Sequence, residues 1–600
     1  MLQLLSVLPL AALFAGAFCN GISILLLVAA LLALLTWFMV GALARKSPVT
    51  TLPIAPLLYL GLLLPAVIAS TAPNTSWLEW LTLGALPLAW LGADAWRRRA
   101  GDCQTCTLEF ALDAAAIFFG AWALVDMYLR PHNAAAGPFF DSNSFAAFLD
   151  LFLFRAIGSV KQENGISLRQ LLIAVLLGLG VMATQSRGSL LADFAAGGLW
   201  LLATFGRRNL KPVLLGSAGM LVLLVLGAVW SGRFDHFTTD TSVLSRLAMW
   251  KAGVTMIAAH PLLGSGPGTW FLWYPKYQLI QDSQSAGMYA HNDYLQALVE
   301  GGPLMLMAFL IPLLVALRGL FKETNLERMG LLAGVLSIAF HAFVNFLLYD
   351  LPIAILLGLF LGLALPLAPR VKVPALAKLL PGVGILAGAL FLVTGMAAVS
   401  ANVVLNPYPA PVEKVLLPLG NPRVLASLHW LMPLQSDDAL AISKELAVAA
   451  FAPVNGVKPV NGRFIVSKAE ALRRQNLYLE AMAWGNRAIR REPLRTYPYV
   501  FQAFSLMQDA PHMPMFAEGK GLHAVRVVAG RLFKQAMVLD PYYLPAVDGY
   551  TQLLVREGKL SEAKAFLAAK IKGTRNAVVI DELKTMPRTW ATSNATAAKS

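Results

Sequence analysis

Residues 291–317 read HNDYLQALVEGGPLMLMAFLIPLLVAL. After His291 only Asp293 and Glu300 carry formal charge, and the run is long enough to cross a hydrocarbon core about 30 Å thick, which takes roughly 20 apolar residues as helix. Working outward, comparable segments recur near Leu4–Phe18, Ile22–Leu43, Leu52–Ala69, Trp77–Leu91, Ala111–Leu129, Phe145–Gly158, Leu168–Ala183, Ser189–Phe205, Pro212–Trp230, Met329–Tyr349, Pro352–Leu367 and Leu379–Val399. With 57% hydrophobic residues, 14% charged residues and a mean hydropathy of +0.63, a soluble chain of 600 residues is excluded. The expected fold is all-α: a polytopic membrane protein of about 13 transmembrane helices, followed by a soluble helical domain.

Basic residues orient the spans. Arg45-Lys46, Arg97-Arg98-Arg99, Lys161 with Arg169, Arg207-Arg208, Arg318 with Lys322 and Arg328, and Arg370 with Lys372 fall in alternate loops, while the intervening short loops are poor in charge. The positive-inside bias puts the N-terminus in the cytoplasm and everything after Ala401 outside. The first segment reads as a retained span, because a signal peptide starts with basic residues and none stands between Met1 and Cys19. Three cysteines form no disulfide framework, and the lone Cys103-x-x-Cys106 reads as two reduced thiols.

Two regions outside the spans carry information. Residues 401–600 begin with a proline-rich linker at 406–411 and continue as helical patterns around Leu477–Ala488, Leu532–Tyr550 and Gly558–Ala563. These fragments resemble tetratricopeptide repeats, with small residues at crossing points and proline closing a helix. Most of the chain's net charge of +15 lies here. That charge suits anionic headgroups or an anionic glycan, or equally a solvated basic surface, and nucleic acid is not an expected partner on that side of a membrane. The loop 231–290 is long for a compact domain, as functional loops tend to be, and is rich in Trp, Tyr, Arg and Lys. Within it Val243–Ala259 reads as an amphipathic helix with Leu247, Trp250, Val254 and Ile257 on one side. Gly264-Ser265-Gly266-Pro267-Gly268 is a glycine-rich turn without the flanking strand and helix of a nucleotide loop.

Four stretches taken in order carry a family resemblance: Asp141-Ser142-Asn143-Ser144-Phe145; Thr184-Gln185-Ser186-Arg187-Gly188; Arg246 to Trp250 with His260 to Gly266; and His291 to Leu295 with Glu300-Gly301. Together they resemble the O-antigen ligase and O-antigen polymerase superfamily, which includes ligase-like protein O-oligosaccharyltransferases. The resemblance implies a GT-C-like glycosyltransferase domain over residues 1–400, a periplasmic tetratricopeptide-like domain over 401–600, and a place in the bacterial inner membrane among its lipids. It further implies that a glycan moves from an undecaprenyl diphosphate donor to lipid A-core, a protein or another glycan.

Residue roles follow from that resemblance together with side-chain chemistry. The diphosphate leaving group gains charge, and arginine's planar fork pairs with phosphate oxygens, so Arg187 and Arg246 are the expected diphosphate ligands. Arg187 is expected to lie among apolar spans. His291 is the expected base for the attacking hydroxyl, since imidazole titrates nearest neutrality. Asn292 and Asp293 orient or cap, and Glu300, inside a span, is either a structural pair or a catalytic group. His341 and Asn345, four apart on one expected helix face, either line the acceptor cavity or pack between spans. No metal or other cofactor is expected: Asp235, Asp240 and Asp282 are too scattered for a cage, and the donor's own sugar–diphosphate bond supplies the energy. Polymerisation on the carrier, protein O-glycosylation, transport of the lipid-linked glycan and a non-catalytic envelope scaffold remain as alternative readings.

Overall fold

The computed structural model describes residues 51–206, 241–278, 289–372 and 469–587, with short breaks. The segments expected to span near Leu4–Phe18, Ile22–Leu43, Pro212–Trp230 and Leu379–Val399, and the linker at 406–411, lie outside the described residues. The chain divides into two compact units.

The first unit opens with β1 (Thr51–Pro53), α1 (Ile54–Ile68), α2 (Pro73–Leu83), α3 (Ala85–Arg97), α4 (Asp102–Leu129) and α5 (Ser142–Ser159). A two-residue hairpin, β2 (Lys161–Gln162) and β3 (Gly165–Ile166), then leads to α6 (Leu168–Ala183) and α7 (Arg187–Phe205). In the second unit lie α8 (Thr241–Ala259) and α9 (Trp270–Tyr277). The chain returns to the first unit for α10 (Asp293–Leu320), α11 (Leu326–His341), α12 (Leu351–Ala364) and β4 (Arg370–Lys372). The second unit is completed by α13 (Tyr478–Arg491), α14 (Thr496–Asp509), α15 (Gly519–Leu539), α16 (Leu544–Arg556) and α17 (Leu560–Lys572).

Among the described residues three helical stretches are long and apolar enough to cross a membrane: Cys106–Leu129, Arg187–Phe205 and Asp293–Leu320. Ile54–Ile68, Leu168–Ala183 and Leu351–Ala364 are shorter apolar helices. The segment read as one span at Trp77–Leu91 is two helices that meet at Gly84. The segment read as helix to Tyr349 stops at His341, and residues 342–350 are turns.

α5 and α12 are buried along almost their whole length. Small residues permit the close crossings that lipid-embedded helices use in place of hydrophobic exclusion. Gly158 of α5 faces Gly330 of α11 backbone to backbone, and Gly358 and Gly362 of α12 press on α3. Phe119, Phe139, Phe145, Phe148 and Phe152 pack together with stacked, tilted and edge-on ring contacts.

Among the described residues, Arg97, Arg98 and Arg370 gather at one end. Asp94, buried, holds Arg97, Arg98 and Arg370, and antiparallel pairing of β1 with β4 joins the start of α1 to the end of α12 beside them. Arg328 is near enough to Arg97 to repel it. Arg155, Arg169 and Gln170 surround Asp113, so a buried carboxylate ties α4, α5 and α6 together. A buried ion of this kind is tolerable only because it is paired and hydrogen-bonded.

α10 is bent, and the sequence says why. Pro303 has no N–H to offer the carbonyl four residues back, and Gly302 sits at φ 62° and ψ −161°, which helical geometry does not allow. The carbonyls of Val299 and Glu300 are therefore released inside an apolar segment, where a bare carbonyl is costly. The glycine-rich turn supplies the missing donors: Ser265 N–H binds Val299 O at 3.1 Å and Gly266 N–H binds Glu300 O at 2.7 Å. In turn Thr71 N–H and its hydroxyl hold Ser265 O, and the Ser76 hydroxyl holds Pro267 O.

In the second unit, each of α13 to α17 packs on the next, the pattern of stacked helical repeats. Ala536 and Ala546 sit fully buried at helix crossings, and Gly549 lies against Phe533 and Phe504. α9 packs on α8 and α15, with the Arg495 guanidinium 4.6 Å from the Phe271 ring centre. On α8 the buried face carries Ala248, Met249, Ala252 and Met256. Leu247 and Val254, from the apolar stripe read in the sequence, are exposed, while the small residues of the other face allow the closer contact.

Candidate functional site

Opposite the basic end of the first unit, the starts of α5, α7, α10 and α12 meet the end of α11. Asp141 caps α5, accepting from the N–H groups of Asn143 and Ser144. Ser186 caps α7 and gives its hydroxyl hydrogen to Asn143 Oδ1 at 2.8 Å. Asn292 caps α10 by accepting from Leu295 N–H. Each cap satisfies a helix-terminal donor and fixes where the residue beside it stands.

Arg187 is the first residue of α7, after a turn in which Gln185 adopts φ 54°. Its side chain is exposed and not enclosed by spans, since the tight turn lifts it off the helix end. A cation at a helix N-terminus opposes the helix dipole, so helix stability does not account for it there. An anion at the same place would be favoured by both. The next residue, Gly188, lies against His341: a Cβ there would come within 2.8 Å of His341 Nε2. His341 is buried at the last turn of α11.

His291 precedes the α10 cap with φ 49°, a left-handed conformation rare for a residue with a side chain. Its Nδ1 lies 3.3 Å from Asn345 Oδ1, and its ring meets Phe346 edge-on with centres 5.0 Å apart. Tyr289 stacks on the other side of this wall, 4.3 Å from Phe346. Asp293 holds the facing segment: its Oδ2 accepts from the N–H groups of Leu347 and Leu348 at 2.8 Å each, and its own N–H donates to Ala342 O. Because α11 ends at His341, Asn345 is not on its helix; the turn after it, clamped by Asp293, carries Asn345 to the imidazole. Glu300 is buried, with Oε1 taking a hydrogen from Gln296 Nε2 and Oε2 from the Tyr349 hydroxyl. That arrangement favours the structural reading for Glu300.

Arg187, Asn292, Asp293, His291, His341 and Asn345 thus share one end of one unit, whereas Arg246 lies half-buried on α8 of the other unit. Several polar residues that sequence reasoning passed over also belong here. Asp150 of α5 and Asp193 of α7 are buried. Ser189 donates to Asp150 and Ser337 to Asp193. The usable signal was each acid standing alone in an apolar run.

Asp350, at the start of α12, has its carboxyl pushed up to about 7, by burial first and by the charge of Asp141 next, with the Ser144 hydroxyl pulling the other way. An unfolded aspartate loses its proton near 4, so between about 4 and 7 the unfolded chain binds fewer protons than the folded one. Stability therefore falls as pH rises through that window. Asp350→Asn should raise the melting temperature in detergent more at pH 8 than at pH 4.5; an equal shift at both would refute the assignment. Among the described residues, no group of three or more His, Cys, Asp or Glu side chains is placed to hold a metal ion.

Arg187, Arg246, His291 and Glu300 all fall between α6 and the α10 kink. Residues 172–310 match the O-antigen ligase family. Asn143, His341 and Asn345 lie outside that ligase-family segment. The match supports a membrane glycosyltransferase of the ligase or polymerase kind. No curated protein matches the chain. The crystal structure of yeast Tom70 aligns over 80% of this chain and 96% of its own at 16% identity, with a TM-score of 0.25, too loose a superposition to define a shared fold.

Proposed function

We propose that this protein is a glycosyltransferase of the O-antigen ligase kind. It takes a glycan from undecaprenyl diphosphate on the periplasmic face of a bacterial inner membrane, and delivers it to lipid A-core or a comparable acceptor hydroxyl. The observation that carries this reading is the meeting of the His291 imidazole, the His341–Asn345 segment and the Arg187 turn at one helix-end cluster. Two of those parts, His291 and the Arg187 turn, lie inside the segment that matches the family.

The step balances without a cofactor. The acceptor O–H attacks the anomeric carbon, a new C–O bond forms there, and the bond from that carbon to the diphosphate oxygen breaks with its electron pair leaving on the diphosphate. His291 takes the acceptor's proton. Arg187, with the N–H groups at the start of α7, neutralises the leaving diphosphate. Asn292 and Asp293 order the histidine's surroundings, His341 and Asn345 border the acceptor side, and Glu300 braces the kink. The polypeptide tail over 401–600 lies in the periplasm, and its repeat-like helices suit it to a protein acceptor.

Purified protein incubated with an undecaprenyl-diphosphate oligosaccharide and lipid A-core should yield glycan on the core. Carrier-bound chains that grow longer instead would assign it as a polymerase, and no product with any acceptor would sink transfer altogether. Arg187→Ala should lower turnover by about 10²–10³-fold, the usual loss for one oxyanion-stabilising donor, while Arg187→Lys should recover part of it as a point charge without the fork. Equal rates in wild type and both variants would remove Arg187 from the diphosphate site.

A further inference from the structure

We infer that Asn345 is a positioning residue that selects the tautomer of His291, keeping the proton on Nδ1 so that Nε2 is the basic nitrogen. The inference rests on the transferase reading for its consequence, but not for its geometry. Asn345 is 1% exposed, and its Oδ1 faces His291 Nδ1 at 3.3 Å. Its Nδ2 has no hydrogen-bond partner among the described residues. A buried amide kept for packing alone satisfies both ends, because each unpaired end costs free energy. Here the satisfied end is the one aimed at the imidazole.

An amide oxygen accepts and cannot donate, so the ring nitrogen opposite it must carry the hydrogen. The other ring nitrogen is then left with its lone pair. Everything around the pair serves to hold this orientation. Asp293 clamps residues 347–348, its N–H grips Ala342, and Phe346 blocks rotation of the ring by edge contact. The left-handed backbone at His291 costs energy, and the cluster on both sides of it keeps that conformation in place.

The test uses the full-length protein labelled with nitrogen-15 histidine, with His291→Gln to identify the signal, at a pH where the ring is neutral. Wild type should show His291 protonated on Nδ1. Asn345→Ala should move the population towards the tautomer protonated on Nε2, and Asn345→Asp, which still accepts, should keep it on Nδ1. With the undecaprenyl-diphosphate oligosaccharide and lipid A-core, kcat should fall on the order of 100-fold in Asn345→Ala at unchanged KM and recover in Asn345→Asp. Nε2 protonation in wild type, an unchanged signal in Asn345→Ala, or a folded Asn345→Asp that has lost both signal and turnover would each overturn the inference. Should Asn345→Ala fail to fold, the Asp variant alone decides. A wild-type Nδ1 signal together with full activity in His291→Ala would instead strike the proposed base and leave the tautomer assignment standing.

Discussion

Replacing His291 by alanine should reduce glycan transfer by about 10²–10⁴-fold, the range over which a positioned acid–base group acts. The expectation is sharper than a general loss of activity. The imidazole meets Asn345 and Phe346, whereas the backbone of residues 342–348 is tied to the start of α10 by Asp293. The variant should therefore reach the membrane, keep its melting temperature to within a few degrees and bind donor with unchanged KM while kcat collapses. Alanine also relieves little of the left-handed strain at this position, so stability offers no hidden compensation. Rates for His291→Ala within threefold of wild type would take the histidine out of the reaction. A parallel collapse in folded protein would show that the assay was reporting structure.

Gly302→Ala should have an effect of the other kind, on assembly. Position 302 combines a positive φ with a Cβ that would lie inside the contact distance of the Leu262 carbonyl oxygen. That oxygen belongs to the backbone of the segment whose next residues donate to Val299 and Glu300, so it cannot withdraw without breaking those bonds. Strain of this sort costs about 1–3 kcal/mol for the backbone alone, and overpacking adds a similar amount. In a domain of marginal stability the sum should leave most of the protein aggregated or degraded. The measurement is the yield of monodisperse protein extracted from membranes. Gly61→Ala serves as the control: it sits mid-helix in α1 with nothing within 4 Å of a Cβ, so it should extract as wild type does. A normal yield for Gly302→Ala would mean that the docked turn is not what stabilises the kink.

What could be read from the chain itself was the repeated apolar length, because a helix through hydrocarbon must satisfy its own backbone and so needs an unbroken run. α1, α4, α5, α6, α7, α10 and α12 stand close to where those runs placed them. Breaks that do not interrupt hydrophobicity stayed hidden. Gly84 divides two helices within a run that stays apolar, and residues 342–349 read AFVNFLLY, with no proline or glycine to announce that α11 has ended. The same gap misplaced Asn345 on a helix face and so concealed its pairing with His291. The glycine-rich turn was visible as a turn, but its purpose depended on carbonyls some 35 residues later, released by a proline whose effect is felt four residues upstream. Asp150 and Asp193 show a further limit: their partners, Ser189 and Ser337, come from helices that no local pattern connects.

The cation resting on Phe271 bears on how the molecule can be taken apart. Because α8 and α9 fold with the carboxy-terminal helices, a truncation after residue 400 would not simply remove an appendage; it would strip the support from the aromatic hairpin that carries Arg246. Chimeras made to exchange acceptor preference should therefore move both pieces as one cassette.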